Sequence, residues 1–220
     1  MKKYYFKLRT FSGYDFKNEM IRKNKDIVLM LLEAIQLINI SKYSTDDIDC
    51  SDKLILYVDK MSRIFFSHED KIISFHFPFI IEEYDEQRIK LFVPYRNEEF
   101  DSHIVSLVKS IFLTDIDYSK SLEDLLEMIW NKLAEDTIDK DVSDFVLTVV
   151  HHLMVTDYGY LRYDHDIEHE NGLLHPEHHL DINYSSNSTY KIGLDSSIDS
   201  DYFIDLLNSR TNAKFLCDKK

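Results

Sequence analysis

Hydrophobic positions along this chain repeat with two periods, and the alternation between them marks out three stretches. From 1 to 97 one helical pattern is followed by short alternating runs, 98–157 is helical, and 158–220 alternates again before a closing helix. Period 2 sends successive side chains to opposite faces of a strand, whereas period 3.6 draws an apolar stripe along a helix. Residues 3–9 predict an opening strand and 18–39 a helix. Its second half, IVLMLLEAIQLINI, is apolar almost all round, as a central buried helix must be.

The runs KLILYVD, RIFFS, KIISFHF and RIKLFVP are β-branched and aromatic, separated by turn residues, and predict an antiparallel meander. Alternation sets Ile73, Phe75 and Phe77 against Ser74 and His76, which makes His76 a solvent-facing strand residue. Amphipathic helices are predicted over 102–112, 121–134 and 142–156. Ser121 is the candidate N-cap of the second, with Asp124 completing a capping box, and Trp130 is read as core. In the third, His152 lies at the margin of the apolar stripe and His151 points away from it. A last helix over 200–209 buries Phe203, Leu206 and Leu207.

Between these last two helices, strands are predicted over 158–164, 178–184 and 189–194 as a three-stranded meander. One face then carries Leu161, Tyr163, Leu180, Ile182, Tyr184, Tyr190, Ile192 and Leu194 to the core. The other carries Tyr160, Arg162, Asp164, His179, Asp181, Asn183, Thr189 and Lys191. The whole reads as an α+β protein of mostly antiparallel sheet with packed amphipathic helices in a single compact domain.

Composition narrows the chemistry. Only four Gly and three Pro punctuate 220 residues, and neither GxGxxG nor GxxxxGK[ST] occurs, so Gly-rich phosphate loops are excluded. A net charge of −14 opposes broad nucleic-acid binding, which needs a Lys/Arg surface. Two cysteines, Cys50 and Cys217, make no disulfide framework and point to a reducing compartment. The start lacks an apolar signal-peptide core, and Glu33, Gln36 and Asn39 interrupt the most apolar helix, so a cytoplasmic location away from membrane is expected.

Seven of the ten histidines fall between His151 and His179. On the polar face Arg162 and Lys191 can neutralise a phosphorane, and His179, with His175 folding back above the face from the far end of the loop, can move protons. Asp164 and Asp181 can orient an imidazole, and together with the two histidines they make a candidate set for Zn²⁺, Mn²⁺ or Fe²⁺. His175 and His179 are spaced as HxxxH, but Pro176 favours a turn entering a strand over the helix that spacing needs, and HExxH is absent. The same residues also make ordinary cross-strand ion pairs, Arg162 or Lys191 with Asp181, leaving His165, His169 and His178 as loop or edge residues.

Arg162-Tyr163-Asp164, a polar His/Asp-rich loop, His175-Pro176-x-x-His179, Leu180 and a later basic-apolar strand resemble the C-terminal signature of a family of uncharacterised bacterial proteins, a domain of unknown function. More distantly, they are similar to small bacterial toxins of toxin-antitoxin pairs. The resemblance covers about the last 60 residues, and Lys191-Ile192-Gly193 stands where that pattern has Arg-Ile-Pro. It implies a protein of defence, toxin or mobile-element loci. Two functions follow as expectations: a non-catalytic interaction subunit with a protein partner encoded in the same locus, or a phosphodiester-processing, RNase-like enzyme using Arg162, Asp164, His175, His179, Asp181 and Lys191.

Overall fold

A computed structural model describes residues 2–8, 15–114, 121–135, 138–185, 187 and 189–216. In chain order the elements are β1 (Lys2–Lys7), α1 (Asn24–Ile40), β2 (Lys53–Val58), β3 (Ser62–Ser67), β4 (Lys71–His76), β5 (Ile80–Asp85) and β6 (Arg88–Phe92). These are followed by α2 (Ser102–Leu113), α3 (Leu122–Glu135), α4 (Lys140–Val155), β7 (Leu161–His165), β8 (His178–Ile182), β9 (Tyr190–Gly193) and α5 (Ser200–Leu207). The fold is α+β, and every strand pairing is antiparallel. The end of the predicted opening strand, Arg9, and Cys217 lie outside the described residues. Among those residues no helix is long and apolar enough to cross a membrane.

The chain divides into two compact units, the first being 1–9, 44–77 and 159–220 and the second 10–43 and 78–158. The first unit is a seven-stranded sheet in the order β1-β2-β3-β4-β7-β8-β9. Two stretches of alternating sequence that predict separate meanders are thus one sheet, joined where β4 pairs with β7. On one face Tyr5, Ile55, Tyr57, Phe65, Ile72, Leu161, Tyr163 and Leu180 form a core that α5 caps with Phe203 and Ile204. Leu206 and Leu207 are only partly buried against it. On the opposite face Phe6, Leu54, Leu56, Ile64, Phe66, Ile73 and Phe75 are buried as well. Ser74 is also buried, its hydroxyl accepting from Arg63 Nε at 3.0 Å, and His76 is half-buried against the Ser62 carbonyl at 2.9 Å. The solvent-facing reading of His76 is therefore corrected.

In the second unit α1 begins at Asn24 rather than 18. The Asp15 carboxylate takes the amides of Lys17 and Asn18 into a separate turn, and Asp26 accepts from the Arg22 and Lys23 amides at the true start. α1 is buried on nearly all sides, and its one buried charge, Glu33, is paired with Lys109 of α2. The run Arg88–Phe92 does not extend the meander. It pairs instead with Ile80–Asp85, a strand that the sequence conceals because Glu82, Glu83 and Tyr84 give it an exposed, polar pattern. The Ser121 hydroxyl accepts from the Asp124 amide at 3.1 Å, while Trp130 is half-buried rather than core. His152 Nε2 donates to the Pro78 carbonyl at 2.8 Å and His151 is exposed.

Candidate functional site: a closed ionic network on the C-terminal hairpin

Antiparallel register places Arg162 opposite Asp181, Asp164 opposite His179, and Asp181 opposite Lys191. Directly opposed residues point to the same side of a sheet, so the three strands deliver five polar side chains to one spot. The Arg162 guanidinium forks between two carboxylates: Nε donates to Asp164 Oδ2 at 2.6 Å and Nη2 donates to Asp181 Oδ2. Lys191 Nζ donates to Asp181 Oδ1 and to His179 Nε2, each at 2.8 Å. Both cross-strand ion pairs of the simpler reading form, and they share Asp181.

The imidazole's tautomer follows from its partners. His179 Nδ1 lies 2.8 Å from the Pro176 carbonyl, which only accepts, so Nδ1 carries hydrogen; Lys191 only donates, so Nε2 offers its lone pair. Asp164 Oδ2 lies 3.5 Å from the same Nε2. Burial alone would lower the His179 pKa, but Asp164 and the Pro176 carbonyl outweigh it and raise it, with Lys191 opposing. Nε2 is thus contested between the Lys191 ammonium and a proton shared with Asp164. Burial likewise works to raise Asp164, and hydrogen bonding from His179 with the charge of Arg162 reverses it, holding the carboxyl below its usual range. Beside this network the Tyr160 hydroxyl is sealed from solvent, and burial pushes its pKa up to about 12.

The spot is an interior one: Asp164, His179 and Asp181 are all buried, His179 at 1% exposure. The connection between β7 and β8 folds back to help cover it. Pro176 packs over Gly193 of β9 so closely that a Cβ there would lie 2.8 Å from the proline Cγ. Gly193→Ala is therefore expected to push Pro176 off β9, loosening its bond with His179 and costing about 1 kcal/mol. Urea unfolding gives the stability change, and a shift of the His179 ring resonances reports the displacement.

His175 joins the cluster only in part. Its ring lies 4.8 Å from that of His179, tilted by 51°, but its Nδ1 is committed to the His169 carbonyl at 2.6 Å. The HxxxH spacing is not helical, since Asn171 bridges His175 and a strand begins at His178. Two residues assigned to the core face leave it. Tyr190 on the edge strand is 58% exposed, and Tyr184 turns to meet the Tyr160 ring edge-on at 6.0 Å. Asn183, with φ 67°, is the cause in the second case, because a left-handed residue breaks the two-residue alternation.

Sequence reasoning sets His165 and His178 aside, yet they face each other across the ladder, their rings 4.5 Å apart, with Glu177 Oε1 2.9 Å from His165 Nε2. A carboxylate directly before one of two cross-strand histidines is the signal that could have found them. Comparison with protein-family models, with curated proteins and with solved structures gives no match for this chain.

Proposed function

We propose that this chain is a non-catalytic interaction subunit, of the kind the C-terminal resemblance associates with bacterial defence, toxin or mobile-element loci, and that it docks a protein partner through the loop joining β7 and β8. The observation that carries this reading is the build of that loop. Its base is closed by Asp166 donating its amide to the Glu177 carbonyl at 2.8 Å, and its tip by the Asn171 amide donating to the His175 carbonyl at 2.8 Å. Gly172 takes the turn's positive φ of 53°. The loop is ordered by its own hydrogen bonds, yet Ile167, Leu173 and Leu174 stand 68%, 81% and 82% exposed. Isolated exposed apolar residues are ordinary on any surface, whereas three on one internally tied loop are a presented surface.

The ionic network supports the same reading from the other side. A phosphate clamp needs cations whose charge is unspent, but Arg162 and Lys191 are both matched to buried carboxylates, and His179 Nε2 is occupied by Lys191. Such an arrangement holds the hairpin's shape and so fixes the loop that grows from it. The test is co-purification of the chain with proteins encoded beside its gene, followed by the Leu173→Asp/Leu174→Asp variant. Tenfold or greater loss of affinity, about 1.4 kcal/mol, is expected with stability unchanged within about 0.5 kcal/mol. Undiminished binding by this variant, or RNA cleavage by the wild-type chain that His179→Ala abolishes, overturns the reading.

A further inference from the structure

We infer that His165, Glu177 and His178 form a divalent transition-metal site of the Zn²⁺ class, with coordination positions left open to water or to a ligand from outside the chain. His165 and His178 are the last ladder pair of β7 and β8, on the sheet face opposite to the ionic network, and Glu177 is the residue before His178. From these three residues, atoms able to ligate converge within 4.8 Å of one another. Glu177 Oε1 is 2.9 Å from His165 Nε2 and 3.7 Å from His178 Nε2. Tetrahedral zinc with nitrogen and oxygen ligands holds them about 3.3 Å apart, so the two distances bracket the required one and small side-chain rotations complete the site. Two imidazoles and one carboxylate are a donor set suited to this ion.

A second feature separates these histidines from a chance surface pair. His178 Nδ1 lies 3.1 Å from the buried Tyr163 hydroxyl, with the two rings stacked at 6.2 Å. A metal on Nε2 requires the hydrogen on Nδ1, and the phenol oxygen is placed to accept it, as outer-shell partners of zinc-bound histidine do. The side chains remain reachable, at 32%, 47% and 16% exposure for His165, Glu177 and His178. The buried trio Asp164, His179 and Asp181 also converges, but there the Lys191 ammonium already sits on His179 Nε2 and Asp181. The two clusters therefore differ in what a metal must displace. At His165 and His178 it has only the His165–Glu177 hydrogen bond to replace.

The experiment uses the full chain, stripped with chelator and titrated with Zn²⁺ alone by calorimetry, with histidine-detected NMR of the unmodified protein alongside. One Zn²⁺ per chain, a raised melting temperature and perturbed ring resonances of His165 and His178 are expected. His165→Ala and His178→Ala should each weaken binding by about a hundredfold or more, and Tyr163→Phe by about tenfold through the lost outer-shell bond. His169→Ala should leave it unchanged. No zinc binding by the wild-type chain overturns the inference. So does binding that survives the His165→Ala/His178→Ala double variant, or resonance changes confined to His175 and His179.

Discussion

Arg162→Ala is expected to lower the unfolding free energy by about 3 kcal/mol, where an exposed charge on a solvated sheet face would cost about 0.5 kcal/mol. The guanidinium is the shared partner of Asp164 and Asp181, both buried, and removing it strands two carboxylates in the interior. The loss stays at the lower end for a broken buried pair because other cations remain: Lys191 still reaches Asp181 at 2.8 Å, and the charge of Lys71, opposite Asp164 in the ladder, also lowers its pKa. Adding Asp164→Asn to Arg162→Ala should recover part of the loss, since a neutral amide is cheaper to bury without its cation. Urea unfolding of the two single variants and the double variant measures this coupling. A loss under about 0.5 kcal/mol with no recovery would make the cluster an ordinary surface.

The difference between a surface and an interior reading of these residues shows which part of the fold is legible in sequence. Strict alternation is local, so it alone sets Arg162 and Asp164, His179 and Asp181, and Lys191 on shared faces, and their ladder positions agree. Pairing at long range is not local. Nothing in KIISFHF says that its partner is YLRYD, and for that reason the sequence predicts two meanders where there is one sheet. Burial is hidden for a related cause: the return of the β7–β8 loop, which lays Pro176 on Gly193 and His175 beside His179, is a tertiary event. The exceptions to alternation have single-residue causes, the left-handed Asn183 before Tyr184 and the edge position of Tyr190.

One hairpin thus carries two chemistries because its side chains alternate. Arg162, Asp164, His179 and Asp181 on one face neutralise each other and hold β7, β8 and β9 in register. On the reverse, Tyr163 meets His178, and His165 meets Glu177 at the point where the loop departs. The loop thus grows from a base that is hydrogen-bonded on both sides, the pre-organisation that the proposed docking through Leu173 and Leu174 calls for.

Phe203→Ala is expected to cost about 3–5 kcal/mol and to release α5 from the sheet. Phe203 is fully buried and meets Phe65 edge-on, with ring centroids 6.1 Å apart and planes at 82°. A helix of 8 residues has no stability of its own in water, so α5 exists because Phe203 and Ile204 complete the core over Ile55, Tyr57 and Phe65. Besides the partial packing of Leu206 and Leu207, its ties are polar and replaceable by water: Asp199 capping the Tyr202 amide at 2.8 Å, Ser67 with Ser200 at 2.7 Å, and Lys3 with Asp201 at 2.9 Å. The cavity left by the ring therefore favours undocking over collapse. Two measurements follow: a lowered urea midpoint, and amide exchange across 203–207 that speeds up more than exchange in β2 and β3. The alanine side chain leaves the Asp199 cap intact, so faster exchange there reports lost packing rather than a lost cap. A loss under about 1 kcal/mol, with α5 protected as before, would mean that the sheet face holds without its helix.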